Sequence, residues 1–186
     1  MISKLILLSL CSFLSASFDD AIEYNIKLDR TDIRAGEIVT IIADIKLDSG
    51  YYIYSSNEDL TMTPSHFEWL DSILISSFGH MEEPKPKLKY DDYLKMDVGF
   101  HRESLSFMQN LVVSESVQLG AHSINGTFVY QVCDSAKCIP HWDDFTVDFN
   151  INEGQARADY VQLNHENEAL STFFILAFLA GLAALI

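Results

Sequence analysis

Cys133 and Cys138 stand in the stretch Phe128-Val-Tyr-Gln-Val-Cys-Asp-Ser-Ala-Lys-Cys-Ile-Pro-His141, with four residues between them. They end an alternating apolar run, where a sheet would turn back on itself, so the two sulfurs could meet across a short hairpin. A pair placed like this can exchange electrons with another thiol pair or staple the hairpin. With His141 it could instead hold a soft or borderline metal such as copper(I) or zinc. Exchange needs an attackable sulfur, a thiolate at the right moment and a partner thiol. Lys137 beside Cys138 favours the thiolate and Asp134 opposes it. As a staple, so short a closed loop returns only roughly 2 kcal/mol on the chain-entropy estimate. The spacing to His141 fits no strong zinc signature and no fourth ligand is evident. The other histidines (His66, His80, His101, His122, His165) are scattered. No Ser–His–Asp or phosphate-binding motif is present.

The compartment decides what the cysteines can be. Met1 to Ser17 reads as a secretory signal peptide, with Lys4 as the positive start, Leu5 to Leu14 as the apolar region and Ser15-Ala-Ser17 as the cleavage site before Phe18. The third cysteine, Cys11, lies inside that segment, and Leu10 before it is too large for a lipoprotein site. Removal of the leader leaves Cys133 and Cys138 as an even count in an oxidising compartment. The net charge of −15 repels phosphate and argues against nucleic acid as a partner. The acidic residues are spread along the chain, as on a solvated surface.

The elements that must position the pair are strands. Ile22, Tyr24, Ile26 and Leu28 alternate with polar residues, as do Val39 to Leu47, Phe145 to Ile151, Leu105 with Phe107, and Ile124 to Val132. Period-two alternation predicts half-buried antiparallel strands. Several short strands in one domain predict an all-β, immunoglobulin-like β-sandwich over residues 18–152. Staples in such sandwiches usually join the two sheets across a long separation, which a hairpin pair does not do. Glu82 to Lys95, with two prolines and clustered charge, reads as a long loop, and long loops in compact domains are often functional. Residues 153–170 read as a linker. Residues 171–186 read as the truncated start of a transmembrane helix, because Phe173 to Ile186 carries no charge yet covers only roughly 21 Å as a helix.

Four segments together resemble the N-terminal periplasmic domain of the thiol:disulfide interchange protein DsbD family. They are Gly50-Tyr-Tyr-Ile-Tyr54, Glu83-Pro84 with Lys89-Tyr-Asp-Asp-Tyr-Leu-Lys95, Tyr130-Gln-Val-Cys133 through Cys138-Ile-Pro140, and the apolar run Leu176 to Ile186. The resemblance implies a relay. A membrane domain and a thioredoxin-like domain supply electrons. The sandwich passes them to periplasmic disulfide isomerases or to thiol proteins of cytochrome c maturation, with no cofactor or metal beyond the redox disulfide. It implies that Cys138 forms the mixed disulfide with partners and that Cys133 resolves it. Tyr93 becomes the tip of a cap loop over the disulfide, Asp91 and Asp92 its acidic residues, and Tyr52 and Tyr54 the aromatic lining. The implied location is the periplasmic face of the inner membrane, reached through the leader and held by the C-terminal helix.

Two departures from the family pattern stand out. Best-known members have five residues between the cysteines, and many carry a second proline where this chain has His141. A non-catalytic immunoglobulin-like module with a structural disulfide, and a copper-binding module using Cys133, Cys138 and His141, remain the alternatives at this level.

Overall fold

β-branched and aromatic residues at every second position fit a pleated, half-buried surface, and each alternating run forms a strand. The computed structural model describes residues 21–70, 73–92 and 94–161. Among these the strands are β1 (Ile22–Leu28), β2 (Asp32–Arg34), β3 (Ile38–Leu47), β4 (Tyr52–Tyr54), β5 (His66–Trp69), β6 (Ile75–Glu82), β7 (Lys87–Asp91), β8 (Met96–His101), β9 (Ser104–Val113), β10 (Gly120–Cys133) and β11 (Cys138–Asn152). One sheet runs β1-β3-β9-β6. The other runs β2-β11-β10-β4-β8-β7, with β5 also paired to β10. All pairings are antiparallel except β2 with β11. The two sheets form the expected immunoglobulin-like β-sandwich.

The core lies between them. Val39, Ile41, Ala43 and Ile45 of β3 and Phe107, Leu111 and Val113 of β9 meet Ile124, Phe128, Tyr130 and Val132 of β10 and Phe149 and Ile151 of β11. Phe107, Phe128 and Tyr130 run as a line of rings through it. Gly126 is a glycine for steric reasons, since a Cβ there would come within 2.7 Å of both the Glu68 carbonyl oxygen and the Phe145 ring.

Two segments differ from the sequence expectation. The stretch read as a long loop contains β7 and the turn that pairs it with β8 as a β-hairpin, closed by the Lys95 amide donating to the Asp91 carbonyl at 2.8 Å. The strand escaped notice because its alternation is inverted. Lys89 and Asp91 face inward and are half-buried, while Leu88 and Tyr90 are exposed. The second difference follows β11, in the expected linker. Arg157 folds back on Glu37, which is fully buried. Its Nε and Nη2 each donate to Glu37 at 2.7 Å and its amide donates at 2.9 Å. Tyr160 is covered by the Arg30 and Arg157 guanidinium groups, 3.7 and 4.7 Å from its ring centroid. The Arg157 contacts hold the Glu37 carboxyl at about 2, against the opposing effect of burial.

Among the described residues no helix is long and apolar enough to cross a membrane. The expected leader over residues 1–17 and the apolar run over 171–186 lie outside the described residues.

Candidate functional site

The site is built on the closed end of the β10–β11 hairpin. Those strands stay in register from Gly120↔Ile151 to Cys133↔Cys138, so the two cysteines face each other directly as the last pair. They are joined by a disulfide, with Cα atoms 4.0 Å apart. The turn beyond them is organised by Asp134. Its amide donates to the Lys137 carbonyl at 2.9 Å, and its Oδ1 accepts from the Ala136 and Lys137 amides at 2.6 and 2.8 Å. These two amides hold the Asp134 carboxyl below the usual carboxylate range. The carboxylate that would oppose a thiolate is thus turned into the hairpin's own backbone.

Paired residues on neighbouring strands share a face, and the face changes with every residue. Ile124, Phe128, Tyr130 and Val132 point into the main core, so Cys133 and Cys138 point out of the opposite side of the sheet. There a second apolar cluster covers them: Tyr52 and Tyr54 of β4, Val98 and Phe100 of β8, with Leu94 and Met96 packed around. β4 serves both clusters, since Ile53 enters the main core while the flanking tyrosines cover the disulfide.

The two sulfurs are not equivalent. Cys133 is wholly buried, whereas Cys138 is half-buried and lines a cleft of ≈ 540 Å³ with Tyr52, Tyr54, Lys89, Asp91 and Leu94. The Tyr54 hydroxyl lies 3.7 Å and the Tyr52 hydroxyl 4.0 Å from Cys138 Sγ. A disulfide sulfur carries no proton, so any donation here comes from the tyrosines. Burial, then the neighbouring Tyr52 and Asp91, push the Tyr54 hydroxyl up to about 12. It stays a neutral donor throughout the physiological range.

The hairpin that carries the cover is anchored by Glu83, just before β7. Glu83 accepts from the Ser55 hydroxyl, from the Ser56 amide at 2.8 Å, and faces His101 Nε2 at 3.0 Å. Burial pushes its carboxyl up, but the bonds from His101, Ser55 and Ser56 more than offset this and leave it lowered. Glu83 so ties the connector before β7 to the ends of β4 and β8.

Of the residues singled out in the sequence, Cys133, Cys138, Tyr52, Tyr54 and Asp91 come together. Asp91 lines the cleft and caps its own turn, accepting from the Leu94 amide at 2.9 Å. Asp92 is exposed at that turn and does not line the cleft. Tyr93, the expected tip of the cap, lies outside the described residues. His141 departs from the metal role considered for it. Three positions from Cys138 on one strand, it faces the opposite side of the sheet, where its ring stacks on Tyr130 at 5.0 Å and 5°. Among the described residues no group of three or more His, Cys, Asp or Glu is placed to hold a metal ion. The sequence reading missed Lys89, Val98 and Phe100. Lys89 was within reach, because it lies two positions before Asp91 on the same face of β7.

A β-sandwich that presents a cross-strand disulfide, one sulfur buried and the other open to a cleft, has the layout of the thiol–disulfide interchange class. The chain belongs to the family described as "Thiol:disulfide interchange protein DsbD, N-terminal", which matches residues 26–150. Among solved structures, it is similar to the reduced DsbD N-terminal domain of Neisseria meningitidis, at 14% identity and a TM-score of 0.43, covering 77% of this chain and 94% of that one. It is also similar to the complex between the DsbD and PilB N-terminal domains of Neisseria meningitidis (12% identity, TM-score 0.46, 80% of this chain and 94% of that one). A third likeness is to the N-terminal periplasmic domain of ScsB from Proteus mirabilis (19% identity, TM-score 0.47, 78% of this chain and 52% of that one). No curated protein matches the chain.

Proposed function

We propose that this domain is a periplasmic protein-disulfide reductase module. It takes electrons from a thioredoxin-like domain and passes them to periplasmic disulfide isomerases or to thiol proteins of cytochrome c maturation. The observation that carries this reading is the unequal burial of the two sulfurs, with Cys138 open to the cleft and Cys133 closed off beneath it. In the loading direction a donor thiolate attacks Cys138 Sγ, the Cys133–Cys138 bond breaks and Cys133 leaves as a thiolate. The donor's second thiolate then attacks its own sulfur in the mixed disulfide, and the Cys138 thiolate is released. Two electrons have moved to the pair. In the unloading direction the Cys138 thiolate attacks an acceptor disulfide. Cys133 then attacks Cys138 Sγ, the acceptor departs as a dithiol, and the Cys133–Cys138 bond re-forms.

The cover suits this task. The tyrosines of β4 and the β7–β8 hairpin bury Cys133 and leave Cys138 reachable only through the cleft, so stray oxidants and thiols have one narrow approach, while a fitted partner can displace the hairpin. Tyr93 and Asp92 take part in that closure in this reading, and residues 1–17 and 171–186 export and anchor the domain, with 18–152 as the redox domain and 153–170 as linker.

The test is the equilibrium reduction potential of the pair, read by thiol trapping in glutathione or dithiothreitol buffers. A value between about −120 and −270 mV fits an exchange protein, and a value below about −300 mV marks a structural staple and overturns the proposal. A Cys133→Ser variant should in addition accumulate mixed disulfides with partners through Cys138.

A further inference from the structure

Lys89 is an inward-facing ammonium in a strand whose outward face is apolar. It pairs with Val98 across the β7–β8 hairpin and lines the cleft. Its Nζ donates to the Tyr52 hydroxyl at 2.6 Å and lies 4.0 Å from the centroid of the same ring. An ammonium can only donate. The Tyr52 oxygen is therefore the acceptor from Lys89, and the neighbouring Tyr54 hydroxyl, whose bond to Tyr52 helps to keep it protonated, donates to the same oxygen, so the Tyr52 proton must go elsewhere. The Cys138 Sγ stands 4.0 Å from that oxygen. The disulfide sulfur is a weak acceptor, but a Cys138 thiolate is a charged one, and charge-assisted bonds shorten and strengthen.

We propose that Lys89 is a positioning residue for the exchange: it turns the Tyr52 hydroxyl proton toward Cys138 Sγ and places a positive charge behind it, so that negative charge on that sulfur is held in the reduced domain. The inference rests on the exchange reading above and assigns to Lys89 the electrostatic half of it.

The titratable groups around Cys138 come from four segments. β4 supplies the neutral Tyr52 and Tyr54. β7 supplies Lys89 and Asp91. The hairpin turn supplies Asp134 and Lys137. Arg102, just after β8, covers the Tyr52 ring at 5.1 Å. Asp134 is engaged by two backbone amides, and Asp91 Oδ1 accepts from Leu94. The ammonium of Lys89 is connected to the sulfur through the Tyr52 hydroxyl. An opposite charge at about 4–6 Å shifts a titration by roughly 1–3 units. Lys89 acts through a tyrosine, so about one unit, the low end of that range, is expected.

The experiment follows iodoacetamide alkylation of the reduced full chain against pH, reading the peptide that contains Cys138 by mass spectrometry so that Cys11 and Cys133 do not interfere. Lys89→Met keeps the stem over the Tyr52 ring and removes the charge. It should move the Cys138 profile up by about one pH unit and slow alkylation at neutral pH about three- to fourfold, the smaller thiolate fraction being partly offset by its greater nucleophilicity. Lys89→Arg, which retains charge and donors, should keep the parent profile to within about 0.3 pH unit. Tyr52→Phe should move the profile in the same direction, and adding Lys89→Met to it should move it no further. A Lys89→Met profile that superimposes on the parent, or a Lys89→Arg shift as large as that of Lys89→Met, overturns the proposal. Alkylation requires no protein partner, so the result is read independently of whether the pair exchanges with one.

Discussion

Replacing Arg157 with Met tests how the end of the described chain is fastened to the sandwich. Glu37 is fully buried and its carboxylate accepts three bonds from Arg157 at 2.7–2.9 Å, with the Arg34 amide at 3.2 Å and Arg30 Nη2 at 3.7 Å behind them. Removing one partner of a buried ion pair costs about 3–5 kcal/mol. The Arg157 side chain is 34% exposed, and water screens part of the interaction. From the pH side, a carboxyl held at about 2 instead of 4.5 is worth at most about 3 kcal/mol. With the same screening, both routes lead to a loss of about 2 kcal/mol for Arg157→Met at neutral pH. Because the folded-state value is depressed, this stability is fully present above about 4.5 and disappears as pH falls through about 2. In urea the parent midpoint should exceed that of the variant by about 1 M at pH 7, and the gap should close toward pH 2. Equal midpoints at pH 7 would refute the reasoning about the ion pair, and a gap independent of pH would refute its assignment to Glu37.

Three other perturbations reach different parts of the molecule. Glu83→Ala leaves the Ser55 hydroxyl, the Ser56 amide and His101 without their common acceptor. It should cost about 2 kcal/mol and speed amide exchange over residues 87–101 more than in β3 or β9. Gly126→Ala puts a methyl group against the Glu68 carbonyl and the Phe145 ring, both at 2.7 Å, and should lower stability by about 1–3 kcal/mol in a thermal melt while leaving the alkylation profile of Cys138 where it was. Tyr93→Ala, at the proposed tip of the cap, should speed reaction of the reduced domain with a small oxidant, and an unchanged rate would remove Tyr93 from the closure.

Much of the framework was legible in the sequence because burial there follows strand period. β3 and β11 show it plainly, with Val39, Ile41, Ala43 and Ile45 buried at alternate positions, and Val147, Phe149 and Ile151 likewise. β7 was not legible, since its polar residues face in and its apolar ones face out, and a reading that equates apolar with buried inverts it. The alignment of Cys133 with Cys138 could be anticipated from a short turn. The face they occupy depends on where β4 and β8 pack, which no local pattern records. Glu37 is the clearest failure. A charged residue after Ala35-Gly36 reads as turn surface, and its partner lies 120 residues away. Tyr52 and Tyr54 came into view through family resemblance, and their division of labour with Ile53 emerged only from the packing.

The strand order also has a consequence for synthesis. The β1-β3-β9-β6 sheet draws only on residues 22–113, so a chain made from its N-terminus has all four of those strands before β10 begins. The other sheet waits on β10 and β11, to which β2, β4 and β5 attach. Cys133 and Cys138 therefore emerge among the last parts of the domain, after the strands that cover them. They are separated by only 5 positions, and short loops close in about 10–100 ns. Each thiol meets its own partner far sooner than it meets a foreign one, so an oxidant finds the two already side by side, while the long-range fastening of Arg157 to Glu37 closes at the other end of β11.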